Sequence, residues 1–200
     1  MIPLIKTNEE LTQTFRETLD NLFDKQGFDP SVFARKYLAE MLTSFSRSES
    51  SAFKKIFQSI TLLRYSLSAP LSYYHSPENN RQNLRDLGDC CLMLTGIFHD
   101  FISRNGQGQV KYHYMVGSSS YASISQTLTN FDRQRLYLEL AEEFEGFSET
   151  IRQLSVPELK KRNIMDIYNL FEQTKDPFYL SVLQEQLVEQ GQYLVNLNQF

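Results

Sequence analysis

Apolar residues recur at steps of three and four along nearly the whole chain, and no stretch shows the strict alternation of a half-buried strand. Steps of that size line one face of an α-helix. Thr7, with Glu10 three residues on, has the form of a capping box, and Leu11, Phe15, Leu19 and Leu22 repeat from there to Gly27. Asp29-Pro30 reads as a cap and a first-turn proline. It opens a second helix with Phe33, Tyr37, Leu38, Met41, Leu42 and Phe45 at the apolar positions. The polar run 46–51 closes that helix, and Phe53, Ile56, Phe57, Ile60, Leu63 and Leu67 mark a third. Residues 68–80, SAPLSYYHSPENN, carry two prolines among polar residues. Such punctuation predicts a long loop, here a crossover between two halves of one bundle. A fourth helix over 81–104, a fifth over 110–128, a sixth from 132 to 154, a seventh over 164–174 and an eighth from Asp176-Pro177 to Gly191 complete the pattern. The tail QYLVNLNQF is apolar enough to dock on the bundle or to pair with another chain. The expectation is an all-α, single-domain bundle of about eight helices spanning residues 1–200.

Composition supports a packed core. The chain has 200 residues, 41% hydrophobic and 22% charged, a size that suits one domain and a balance typical of globular proteins. A net charge of −4 argues against nucleic acid as a partner, because that needs a basic footprint. The short basic run Lys160-Lys161-Arg162 reads as solvated helix surface. No apolar run approaches the roughly 20 residues of a membrane span, and MIPLIKTNEE lacks the apolar centre of a secretory signal. The only two cysteines, Cys90 and Cys91, are adjacent. On a helix they point about 100° apart, which disfavours a disulfide between them. The expectation is a cytoplasmic protein in a reducing compartment, with no membrane partner.

Residues 87–101, LGDCCLMLTGIFHDF, hold the densest mixture of apolar and reactive side chains. On a helical wheel Leu84, Leu87, Cys91, Leu94, Phe98 and Phe101 form one stripe, widened by Cys90, Met93 and Ile97. A helix this apolar must be surrounded by others. The remaining arc holds Arg85, Asp89, Gly96, His99 and Asp100, with Gly88 at its edge, and two glycines within one helix suggest close approach of another backbone. Along the fifth helix Val110, Tyr114, Gly117, Tyr121, Ile124 and Leu128 share a stripe. A tyrosine buried there needs an acceptor for its hydroxyl. Asp89 is nominated, with Arg85 one turn earlier as its charge partner. The two helices are expected to run antiparallel, in closest contact around Gly96 and Gly117.

Catalytic readings are weaker. His99-Asp100, with His75 upstream and Asp132 or Asp166 downstream, matches the ligand types of metal-dependent HD-type phosphohydrolases, in which imidazole and carboxylate hold a water-activating divalent metal. Yet His75 lies in the proline-flanked loop, and His99 and Asp100 are expected at the exposed end of the fourth helix. Cys90 and Cys91 sit among leucines, with no cation to lower a thiol pKa. Ser118-Ser119-Ser120 lacks a nucleophile elbow. Gly106-Gln107-Gly108 has neither a phosphate-binding lysine nor a preceding strand. No zinc spacing and no cofactor motif is present, so no catalytic residue, metal ligand or cofactor is assigned. The candidate small-molecule site is the polar edge between the fourth and fifth helices: Asp89, Arg85, Tyr112, His113, Tyr114 and Tyr121.

The stretch LRDLGDCCLMLTGIF, followed by YHYMVGSSSYASIS, resembles an uncharacterised family of bacterial all-helical proteins. In that family a leucine-rich helix containing Gly-Asp ends in Gly-Phe-Phe and precedes a Tyr-Tyr helix with Gly and Ala-Tyr beyond it. Gly88-Asp89, Gly96, Phe98, Tyr112, Tyr114, Gly117 and Tyr121 occupy the matching positions. Ile97 replaces the first phenylalanine, His113 lies between the tyrosines and Ser120 stands in place of alanine. The resemblance covers most of the chain. It implies a helical, cytosolic, bacterial protein and carries no activity with it. The leading functional expectation is therefore a non-enzymatic interaction or regulatory module, with a protein partner or a second copy as a homodimer. A small-molecule-binding protein or enzyme using the Asp89 cluster is the alternative, and the phosphohydrolase comes third.

Overall fold

The computed structural model describes residues 7–47, 77–103 and 107–189. They are helical, with no strand among the described residues. The third expected helix, residues 68–76 of the expected crossover and the apolar tail lie outside them.

The first helix, α1 (Asn8–Gln26), starts on its capping box. Thr7 Oγ1 accepts from the Glu10 amide at 3.2 Å, and Glu10 Oε2 accepts from the Thr7 amide at 2.7 Å. It stops at Gly27, whose φ of +64° suits glycine. α2 (Val32–Arg47) begins two residues later than a cap at Asp29 would give. The capping oxygen is Ser31 Oγ, which accepts from the Ala34 amide at 3.2 Å, while Asp29 is drawn to Arg35 at 2.9 Å. α3 (Pro77–Thr95) starts four residues before the expected Arg81, so Pro77 through Asn80 belong to the helix rather than to the crossover loop.

The expected fourth helix is not continuous. Residues 96–98 turn, and the chain resumes as α4 (His99–Ser103). The Phe98 amide reaches back five residues to Met93 O at 3.1 Å, one residue more than an α-helix allows. Thr95 Oγ1 bonds Cys91 O at 2.9 Å. Gly96 is pressed against Ile151, such that an added Cβ would lie 2.6 Å from its Cγ2. The turn rotates the segment after it, so Phe101 leaves the apolar stripe and is 56% exposed, whereas His99 is buried at 8%.

After α5 (Gln107–Thr127) the expected sixth helix also divides, into α6 (Phe131–Glu142) and α7 (Phe144–Gln153), at Glu143 with φ −99° and ψ 21°. A short turn, α8 (Val156–Leu159), leads to α9 (Ile164–Thr174) and α10 (Pro177–Glu189). Asp176 caps α10 by accepting from the Phe178 amide at 3.0 Å.

The main core is built from α1, α2, α3, α5, α6 and α7 around Phe23, Leu38, Leu92, Tyr121, Leu140, Phe147 and Ile151, each fully buried. Fully burying one such side chain is worth roughly 1.5–3 kcal/mol. A second, smaller core joins α9 and α10 through Ile167, Leu170, Tyr179, Val182 and Leu183. Helices α3 and α5 are antiparallel, as expected: Gly88 meets Tyr121 near the end of α5, and Cys91 meets Gly117 one turn further along α3 and one turn back along α5. The glycine assignment needs correcting. Gly117 does face α3, but Gly96 faces Ile151 of α7. The close approach of α3 to α5 is made at Gly88, where an added Cβ would lie 2.5 Å from the Tyr121 ring. Cys90 and Cys91 are buried and form no disulfide.

Candidate functional site

Asp89 lies inside the main core, 8% exposed. The 3.6-residue period of α3 turns it towards α2 and α5, and two tyrosines converge on one carboxylate oxygen. Tyr121 donates to Oδ1 at 2.7 Å and Tyr37 donates to the same atom at 2.5 Å. Arg85, one turn earlier on α3, brings Nε to 3.7 Å from Oδ2 and donates to the Tyr37 hydroxyl at 3.3 Å. Its guanidinium lies 5.1 Å from the Tyr37 ring centre. The rings of Tyr37, Tyr121 and Tyr137 stand about one another at 5.9–6.3 Å between centres. Burial pushes the Asp89 carboxyl up to about 6, against the opposing pull of the two tyrosine hydroxyls and Arg85. Burial and the neighbouring Asp89 charge hold the Tyr37 and Tyr121 hydroxyls well above their ordinary range. The hydroxyls therefore stay protonated and act as donors.

Of the six residues expected to form the polar edge, the structure brings together Asp89, Arg85 and Tyr121. Tyr114 points the other way, towards the Phe144 ring at 6.1 Å and the Ser148 hydroxyl. His113 is buried, with Nδ1 2.6 Å from Gln109 O of its own helix. Tyr112 stands against His113, ring centres 5.5 Å apart. Two members of the cluster come from outside the expected pair of helices, Tyr37 and Tyr137. Tyr37 had a signal: it sits on an otherwise apolar stripe of α2, and its hydroxyl needed an acceptor as much as that of Tyr121. Tyr137 had none, being off the Leu136–Leu140 stripe.

A second polar cluster lies where the two cores meet, and it collects His99 and Asp100 from α4, Arg152 from α7, and Asp176 and Tyr179 at the start of α10. Arg152 Nη1 pairs with Asp176 Oδ2 at 2.7 Å, and Nη2 stands 4.0 Å from Asp100 Oδ1. Its guanidinium carbon is 3.8 Å from the Phe178 ring centre. Tyr179 donates to Asp100. His99 Nδ1 is 3.7 Å from Asp176 Oδ2. Burial, then the Arg152 charge, lower the imidazole to about 4, and Asp176 only partly offsets this. His99 is therefore a neutral, enclosed side chain and not an exposed helix end. The other residues of the metal reading are scattered. Asp132 lines a surface cleft beside α2, and Asp166 lies in a shallow depression with Arg162 and Gln173. His75 is outside the described residues. Among the described residues no three His, Cys, Asp or Glu side chains gather closely enough to hold a metal ion.

The third feature is the cleft itself, about 550 Å³, between the first turn of α2 and the length of α6. Val32, Phe33, Leu136 and Leu138 give it an apolar floor, and Asp29, Asp132, Glu139 and Glu142 give it an acidic rim. Its two walls are tied together by Glu139, which accepts from the Ser31 amide at 2.6 Å and the Ser31 hydroxyl at 2.5 Å. Phe33, expected on the core stripe of its helix, is 56% exposed here.

Among the described residues these features define an all-helical bundle with a buried polar cluster, a partly buried one and an open cleft lined by apolar and acidic side chains. In comparisons with known proteins, no family model, no curated protein and no solved structure matches the chain. No helix among the described residues is long and apolar enough to cross a membrane.

Proposed function

We propose that the protein is a non-enzymatic interaction module that takes a polypeptide partner in the α2–α6 cleft. The observation that carries this reading is the distribution of exposed apolar surface. Eight large hydrophobic side chains are exposed among the described residues: Val32, Phe33, Phe101, Met115, Phe131, Leu138, Met165 and Val188. Val32, Phe33 and Leu138 line the cleft, and Phe131 lies beside it under the Arg135 guanidinium. Half of the exposed apolar side chains thus fall at one place, and a rimmed apolar patch is what a docking surface needs. The Asp89 cluster favours the small-molecule reading less, because its carboxylate, hydroxyls and guanidinium already satisfy one another inside the core.

The reading is tested by selecting from a displayed random-peptide library on the parent protein and on a Phe33→Glu, Leu138→Glu variant. Both side chains are exposed, so the fold tolerates the change. The parent is expected to enrich a shared peptide pattern that the variant does not. Equal enrichment on both proteins, or none on the parent, overturns the proposal.

A further inference from the structure

Resting on that reading, we infer that the partner is a basic amphipathic helix lying along α6. The cleft is lined by four carboxylates and a single cation, Arg135. Arg135 is occupied in part, its guanidinium carbon 5.9 Å from the Phe131 ring centre. Two of the carboxylates are already engaged: Asp29 by Arg35 at 2.9 Å, and Glu139 by Ser31. Asp132 and Glu142 form no ion pair with any described residue, and both are exposed. They stand at the two ends of α6 (Phe131–Glu142). Ten helical steps at about 1.5 Å each place them roughly 15 Å apart. Between them run the apolar positions Leu136 and Leu138, with Val32 and Phe33 facing across.

A surface of this shape selects by charge and by length. An acidic rim repels the phosphates of nucleic acid and of anionic lipid. A small cation could neutralise one end but could not reach both and also cover the floor. A helix about three turns long, with leucine-like side chains at i, i+3 or i+4 and i+7, fills such a groove. Lysine or arginine flanking that stripe meets Asp132 at one end and Glu142 at the other. Such charge complementarity raises the association rate and sets orientation, so the interaction weakens with salt.

The test uses two synthetic 18-residue peptides with the same leucine stripe, one carrying lysine at every polar position and the other glutamate. Binding to the full chain is followed by fluorescence anisotropy. The lysine peptide is expected to bind, and the glutamate peptide to bind at least tenfold more weakly. Phe33→Asp with Leu138→Asp, and separately Asp132→Asn with Glu142→Gln, are each expected to weaken the lysine peptide about tenfold or more. Thermal melts of both variants check that they remain folded, which the exposure of all four side chains favours. Lysine-peptide binding unchanged by the Asp132 and Glu142 substitutions overturns the inference. If the glutamate peptide binds as well as the lysine peptide and only the Phe33 and Leu138 substitutions abolish it, the charge inference fails while the cleft reading stands. Failure of both peptides to bind refutes the basic helix, and the library selection then decides the cleft.

Discussion

Two polar clusters in one small bundle have been built on opposite plans. Around Asp89, a single carboxylate sits in the middle of the main core. Tyr37, Tyr121 and Arg85 all serve it or one another at hydrogen-bonding or ion-pair distance. Around Arg152, five polar side chains meet at the seam between the two cores, yet the Nε and Nη2 atoms of Arg152 and Nδ1 of His99 are buried without a hydrogen-bond partner among the described residues. A satisfied network rigidifies the elements it joins, whereas a partly satisfied one carries the desolvation cost of what it leaves unpaired. The contrast assigns different tasks. The Asp89 cluster fixes how α2, α3 and α5 pack. The Arg152 cluster ties the start of α10 to α4 and α7 through ion pairs, the Tyr179–Asp100 hydrogen bond and the stacking of Arg152 on Phe178.

The largest effect is therefore expected at Arg152. Replacing it with alanine leaves Asp176 and Asp100, both partly buried, without their cation. Breaking a fully buried pair from one side costs about 3–5 kcal/mol, and the partial exposure of both carboxylates puts the expected loss at the lower end, about 3 kcal/mol. Arg152→Met keeps the contact with the Phe178 ring and is expected to cost less than alanine. Denaturant midpoints measure both. An alanine variant as stable as the parent shows that the seam is not held by charge.

Asp89→Ala comes next. It strands the Tyr37 and Tyr121 hydroxyls in the core at about 1–3 kcal/mol, and Asp89→Asn, which keeps an acceptor, is expected to cost less. If alanine and asparagine cost the same, the hydrogen bonds are not what the carboxylate contributes, and the contrast between the two clusters collapses.

What could be read from the chain follows the range of the interactions. The capping box at Thr7 and Glu10 involves neighbours and was legible as it stands. So were the bounds of α9 and the cap at Asp176, and so was the meeting of Asp89 with Tyr121, because a tyrosine on the buried stripe of one helix needs an acceptor and the polar arc of its neighbour offers Asp89. The breaks at 96–98 and at Glu143 were not. Gly96 turns where Ile151 presses on it, and Phe144 after the second break fills the space left by Gly117. Both contacts are tertiary, and local periodicity does not announce them. The same holds for the seam cluster, whose members His99, Arg152 and Asp176 come from three separate stretches. It holds also for the cleft, because periodicity places Phe33 on an apolar face without saying whether anything covers it.

The smallest effect is the most discriminating. Asp89, raised from an ordinary 3.8 to about 6, holds a proton in the folded chain that the unfolded chain has already lost between those values. Its contribution to stability is thus present below about pH 3.8 and declines as pH rises through 6. His99, lowered from 6.5 to about 4, behaves in the opposite sense. The unfolded chain binds the proton first, so stability is present above 6.5 and declines as pH falls towards 4. Between about pH 4 and 6 the two trends oppose, each bounded by about 1.4 kcal/mol per pH unit for one proton. Asp89→Asn removes the falling contribution, so its stability is expected to climb with pH across that window more steeply than the parent's. His99→Gln removes the rising one and is expected to tilt the other way. Urea midpoints measured from pH 4 to 7 separate these slopes from the background set by the other carboxylates, which the parent and both variants share. Parallel curves for all three proteins would mean that neither cluster changes its protonation on folding. Curves that diverge in opposite directions would tie each sign to its own cluster, the carboxylate inside the core and the imidazole at the seam.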